Sequence, residues 1–252
     1  MAELVYRPVI GFARTLFKAW DLKIDCQGSE NIPRSGGAVL VSNHISYLDF
    51  VFAGLAARPQ KRLVRFMAKD SVFRHRVSGP LMRGMRHIPV DREQGEAAYE
   101  HALNSLRSGE VVGIFPEATI SQSFTLKGFK SGAARLAQDA GVPLVPVALW
   151  GTQRIFTKDH PRDLARGKTI TIRVGEPLQP AGVDPAADTA SLHAALAALV
   201  ADAIHAYPAD EQPPGCWWLP ASYGGSAPTP AEALRLDAEE RERRAARRRL
   251  SR

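Results

Sequence analysis

Apolar residues in this chain fall into two rhythms. Short, β-branched blocks read as strands: AVLVS (38–42), LVRFMA (63–68), HIPV (87–90), VVGIF (111–115), PLVPVAL (143–149) and TITIRV (169–174). Between them, apolar positions recur at helical spacing near 47–57, 92–107 and 129–140. This alternation predicts an α/β sheet with helices on its faces. VVGIF and LVPVAL are apolar on both faces and so read as central strands. After the last strand, SLHAALAALVADAIHAY (191–207) predicts a long Ala/Leu helix that covers the sheet.

The two ends differ from this body. In residues 1–20, Arg7, Arg14 and Lys18 fall within about 40° of one another on a helical projection. Val5, Val9, Phe12, Ala13, Leu16 and Trp20 crowd the opposite side, with Tyr6, Ile10 and Phe17 at its edge. Such a helix either lies in a membrane interface or packs on its own domain; the pattern alone leaves both open. Residues 21–210 form the α/β domain, and 211–252 an appendage. EQPPGCWWLPASYGGSAPTP (211–230) reads as a wrapping loop pinned by Trp217 and Trp218. Thr229, Pro230 and Glu232 then supply a capping box that opens a last helix. In that helix Asp237/Arg241, Glu239/Arg243 and Glu240/Arg244 are spaced for i,i+4 pairs.

Composition narrows the class. With 252 residues, 45% hydrophobic and 23% charged, the chain is an ordinary globular protein with room for a sizeable core. It has no run of about eighteen uncharged apolar residues, so no spanning helix is expected, and its start does not read as a secretory signal. The net charge of +7 favours an anionic partner. Lys61, Arg62, Arg65, Arg74, Arg76, Arg83 and Arg86 are available by type to meet such a partner. No stacking platform or basic recognition helix points to nucleic acid. Cys26 and Cys216 form neither a disulfide framework nor a metal spacing, which fits a reducing compartment and no metal.

The chemistry centres on SNHISYLDF (42–50). His44 and Asp49 are five positions apart, and on one ideal helix they would point roughly 140° apart. A strand-to-helix junction brings them together, with His44 in the turn and Asp49 in the second turn of the helix. A His held by a carboxylate is a general base. The chain has no G-x-S-x-G elbow and no cysteine in a nucleophile motif. The nucleophile must then come from the substrate, most simply as a hydroxyl.

NHISYLD (43–49), GMRHIPVDR (84–92), FPEAT (115–119) and VPVAL (145–149) follow in that order, with MAK (67–69) and FKSGAARLA (129–137) among them. In these blocks the chain resembles the glycerolphosphate acyltransferase superfamily, the PlsC-like lysophosphatidate acyltransferases. The family's blocks are N-H-x4-D, G-x-I-x-x-D-R, F-P-E-G-T-R and a V-P-V/I segment. The resemblance implies a central mixed β-sheet flanked by helices, and a peripheral or monotopic enzyme on the cytoplasmic face of a membrane. By resemblance, His44 deprotonates the hydroxyl of a lysophospholipid acceptor and Asp49 orients His44. The acceptor oxygen then attacks the thioester of acyl-CoA or acyl carrier protein, and no cofactor is needed. Arg92 matches the motif arginine near the acceptor's phosphate; Glu117 and Thr119 match the third block, and Lys69 is a second phosphate contact. The membrane context also turns the N-terminal helix towards an anionic lipid interface.

The third block departs from the pattern. It reads Phe115-Pro116-Glu117-Ala118-Thr119-Ile120, so the phosphate-side arginine is missing and alanine replaces a glycine. Lys127, Lys130 and Arg135 stand nearby in sequence as substitute cations, or else the acceptor's head group differs. Two alternatives stay open. One is transacylation, or acylation of another lipid alcohol; the other is a non-enzymatic binder of anionic surfaces.

Overall fold

A computed structural model describes residues 4–91, 95–182 and 184–250. Its centre is a sheet of seven strands: β1 (Lys23–Gln27), β2 (Ala38–Ser42), β3 (Val64–Lys69), β4 (Ile88–Val90), β5 (Val111–Ile114), β6 (Leu144–Trp150) and β7 (Thr169–Val174). The order is β1-β7-β6-β2-β5-β3-β4. All neighbours run parallel except β6 and β7, so the sheet is mixed. Six strands lie within a residue or so of the apolar blocks; β1 does not. Its sequence, KIDCQ, is a polar edge strand whose exposed ends carry no apolar signal.

Every residue of β2 and β6 is buried, because helices cover both faces of the sheet. Alternate residues serve opposite faces. Leu40 joins Phe52, Ala53 and Ala56 of α2 (Asp49–Ala56), while Val39 and Val41 join residues of α5 (Gly95–Arg107) and α6 (Gly132–Ala140). A pair of short helices, α3 (Asp70–Arg74) and α4 (Ser78–Gly84), links β3 to β4. Five and seven residues are too few to print a readable period, and sequence reasoning missed both.

The first helix, α1 (Tyr6–Ala19), packs over α2. Tyr6 Oη donates to Val64 O at 2.8 Å, and Phe17 stacks on Phe52 with ring centroids 5.0 Å apart. The expected face was rotated. Tyr6 and Phe17, read as edge residues, are buried, whereas Phe12 is 65% exposed beside the exposed Leu4. The helix therefore packs on its domain along the side of Tyr6 and Phe17 and leaves Phe12 outside.

Helix α7 (Pro185–His205) is the one described helix long and apolar enough to cross a membrane, where the sequence led us to expect none. It packs on β6 and β7, burying Leu192, Leu196, Val200, Ala203 and Ile204, and its Asp202 pairs with Arg173 at 3.0 Å. These contacts are those of a sheet-covering helix. Several arginines read as surface cations are structural. Arg65 is buried and binds Met85 O and Glu110, Arg62 donates to the carbonyls of Pro33, Gly36 and Gly109, and Arg83 donates to Phe73 O.

The C-terminal segment wraps as expected. Trp218 is buried against Trp150 and Tyr207, with the Arg154 guanidinium 4.7 Å from its ring, and Trp217 stacks on His160. Thr229 and Glu232 form the capping box of α8 (Pro230–Leu250) through bonds of 2.8 and 3.3 Å. The acidic residues of α8 do not all pair within it. Asp237 turns inward to Lys127 and Lys158, and Glu240 also reaches Lys158. The contact between Glu239 and Arg243 runs to the Glu239 carbonyl, while Arg235 pairs with Glu239 at 3.8 Å. For Asp237 the tertiary cations prevail over the helical spacing because they lie in a less exposed setting, and the Arg244 side chain expected to meet Glu240 lies outside the described residues.

Candidate active site

Strands β2, β3, β4 and β5 are parallel, so their carboxyl ends share one edge of the sheet. The chemistry-bearing blocks sit there: His44 follows β2, Lys69 ends β3, and Phe115 and Glu117 follow β5. An α/β sheet offers its ligand crevice at that edge.

His44 Nδ1 lies 2.9 Å from Asp49 Oδ2. Asp49 is the first residue of α2 rather than part of its second turn, because the chain between them closes on the carboxylate itself. The N–H groups of Ile45 and Ser46 both donate to Oδ2 at 2.7 Å. Asp49 is fully buried, whereas the His44 side chain is 23% exposed. With Nδ1–H given to Asp49, the lone pair sits on Nε2, the nitrogen turned away from the carboxylate. Phe115 stacks on the imidazole with centroids 4.4 Å apart, and Phe66 stacks on Phe115 at 5.8 Å. Gly113 leaves room for Phe66, whose ring would lie 2.4 Å from a β-carbon there.

The turn is tied to distant strands. Asn43 exchanges two hydrogen bonds with the backbone of Leu149 in β6, at 2.8 and 3.0 Å. Glu117 Oε1 accepts from His44 N at 2.8 Å and Oε2 from Lys127 N at 3.1 Å. Burial pushes the Glu117 carboxyl up to about 8, against the opposing pull of those two N–H groups and Lys127. Glu117 thus braces the turn from behind. Ala118 takes φ +61°, the left-handed conformation that the family's glycine adopts freely.

Lys127 Nζ donates to Thr119 Oγ1 at 2.7 Å and to Asp237 at 2.5 Å. Ile120, where the family carries arginine, is buried. Lys130 is exposed, its N–H donating to Pro116 O, and Lys69 is exposed at the same edge of the sheet. Arg92 lies outside the described residues. The structure therefore brings His44, Asp49, Glu117, Thr119 and Lys127 into one connected network. Sequence reasoning missed Asp237, Lys158 and Thr152, which no local spacing ties to the motifs.

A histidine paired with a buried carboxylate, its ring hydrogen-bonded to no serine, threonine or cysteine side chain among the described residues, suits transfer to a substrate hydroxyl, and the comparisons point to acyl transfer. The acyltransferase family's sequence profile matches residues 23–150, and the chain belongs to that family. Within the family its relatives are of the PlsC-like O-acyltransferase type. The 1-acyl-sn-glycerol-3-phosphate acyltransferase of Bacillus subtilis (strain 168) is 31% identical over 154 residues, 60% of this chain and 72% of that protein. The protein of the same name from Borreliella burgdorferi is 32% identical over 142 residues, 55% of each chain. The crystal structure of the 1-acyl-sn-glycerophosphate (LPA) acyltransferase PlsC from Thermotoga maritima superposes with a TM-score of 0.68 at 22% identity. It covers 81% of this chain and 80% of that one, which establishes the shared fold.

Proposed function

We propose that the chain moves a fatty acyl group from acyl-CoA or acyl carrier protein to the free hydroxyl of lysophosphatidate or a related glycerol-phosphate lipid, in phospholipid synthesis. The observation that carries this reading is the His44–Asp49 pair, one partner buried and the other partly exposed. The acceptor O–H gives its proton to His44 Nε2 as its oxygen bonds to the thioester carbonyl carbon. The C–S bond then breaks, the departing sulfur takes the proton, and ester and thiol are released. Asp49 stabilises the imidazolium between these steps. A thioester is already activated, so the reaction draws on no cofactor.

Arg92 is assigned to the acceptor phosphate on its motif position alone, with Lys69 and Lys130 as further cations. An apolar groove between α1 and α2, with Phe50 in its wall, is suited by its lining to take the acyl chain. The exposed Leu4, Phe12, Arg14 and Lys18 support docking of α1 on anionic lipid at the cytoplasmic face.

One observation favours a second acceptor class. Ile120 removes a cation, and Lys127 is already paired with Asp237, so a lysolipid of lower charge or another lipid alcohol fits the site better than in the family pattern. Purified protein incubated with acyl-CoA and a panel of lysolipids, with products identified by mass, separates the two. Phosphatidate as the main product supports the first reading. Acylation of every lysolipid except lysophosphatidate overturns it in favour of the second.

A further inference from the structure

The two oxygens of the Asp49 carboxylate have different partners. Oδ2 meets His44 Nδ1 and the N–H groups of Ile45 and Ser46. Oδ1 accepts from the Thr152 hydroxyl at 2.7 Å. Asp49 and Thr152 are both 0% exposed, so water cannot substitute from bulk. Thr152 opens a short 3-10 turn directly after β6, just beyond the region matched by the family profile, and belongs to none of the four motif blocks.

The segment that follows is fastened to the turn bearing His44. Ser46 Oγ donates to Phe156 O at 2.7 Å, Tyr47 N to the same carbonyl at 3.1 Å, and Thr157 Oγ1 to Ile45 O at 2.6 Å. The rings of Tyr47 and Phe156 meet with centroids 4.6 Å apart. Residues 152–157 form a clamp on the turn, and Thr152 is the part of it that touches the carboxylate.

We infer that Thr152 is a positioning residue for the base: its hydroxyl fixes the rotation of the Asp49 carboxylate and, through it, the imidazole of His44. The inference rests on reading His44 as the base. A carboxylate turns broadly about its last torsion, and bonds to one oxygen leave that torsion soft. A donor on the second oxygen locks the plane. Without it, a buried carboxylate oxygen is left bare, which is strongly unfavourable, and the group rotates to find another donor.

The test compares Thr152→Val, which keeps the shape and removes the donor, with Thr152→Ser, which keeps the donor. Thr152→Val should lower kcat roughly ten- to a hundred-fold, the scale of an outer partner that orients a reactive group. The KM of donor and acceptor should move less than about two-fold, and Thr152→Ser should retain most of the activity. In an Asp49→Asn background the Val substitution should add almost nothing, since the route through Asp49 is already lost. If the Val protein is unfolded by circular dichroism, Ser against Ala makes the same comparison, and equal losses in the two overturn the inference. A Val protein with near-normal kcat, or an undiminished further loss on top of Asp49→Asn, also overturns it. If His44→Ala and Asp49→Asn are themselves active, the base reading falls and the inference with it. If they are inactive while Thr152→Val is active, only the inference falls.

Discussion

Lys127 Nζ lies 2.5 Å from Asp237 Oδ2, so α8 holds the lysine that also contacts Thr119 of the third motif block. An acceptor phosphate that reached Lys127 would compete with Asp237 for it. Asp237→Asn frees Lys127, while Lys158 keeps Glu240 as its partner. The KM for a phosphorylated acceptor should fall about two- to five-fold, the scale of one partly exposed charge pair. The KM for an uncharged lipid alcohol should stay where it is. Initial rates with both acceptors check this, and a parallel change in the two KM values would remove Asp237 from acceptor recognition.

The base makes the strongest demand on activity. His44→Ala should reduce kcat by about 10²–10⁴-fold with the fold intact, and Asp49→Asn should also impair it by releasing the tautomer. Acyl transfer by a folded His44→Ala protein at near-normal rate would sink the mechanism.

Ala118 offers a test on stability. Its φ of +61° costs a residue with a β-carbon roughly 1–2 kcal/mol. Ala118→Gly should therefore stabilise the protein by roughly 0.5–1 kcal/mol after the added flexibility of the unfolded chain is subtracted. Denaturant titration of both proteins measures it. A loss of stability would mean that the turn is not strained.

His87 gives a pH signature. It is buried among the rings of Tyr6, Phe50 and Phe66, and its Nδ1 accepts from Phe66 N at 3.0 Å. Burial, with help from the charge of Arg65, pulls its pKa down to about 4 from an ordinary value near 6.5. The folded state thus prefers the neutral ring. That preference contributes fully above pH 6.5 and is lost as the pH falls through 4, an effect of order a few kcal/mol. Melting temperature should drop over this window, and His87→Gln should flatten the drop. An unchanged slope would assign the acid sensitivity to other groups.

Membrane docking by α1 is checked on vesicles. Charge reversal at Arg14 and Lys18 should weaken binding to anionic vesicles more than to neutral ones, and Phe12→Ser should weaken both. Because Tyr6 and Phe17 are packed into the domain, deletion of the whole helix should also lower stability. Sedimentation that none of these point substitutions alters would move the lipid contact elsewhere.

The sequence revealed the strands of the sheet interior because their residues are apolar on both faces, as AVLVS and LVPVAL are. It also revealed the pairing of His44 with Asp49, since only a bend could join them. It did not reveal β1, whose polar residues serve an edge, nor the buried face of α1, where Tyr6 and Phe17 outrank Phe12 only once α2 is beneath them. Thr152 and Asp237 were illegible for a different reason. Each acts across more than a hundred residues of chain, and a lone threonine or aspartate carries no spacing signal.

That same remoteness governs how the site comes into being. Asn43 meets its partner in β6 across 106 residues, Asp49 meets Thr152 across 103, and Ile45 meets Thr157 across 112. Contacts so distant along the chain close late, after the entropy of the long loop between them has been spent. During synthesis, a nascent chain that has exposed His44 and Asp49 still lacks the residues that hold them in place. The turn that carries His44 and Asp49 therefore takes its final hydrogen bonds only once β6 and the segment behind it have emerged.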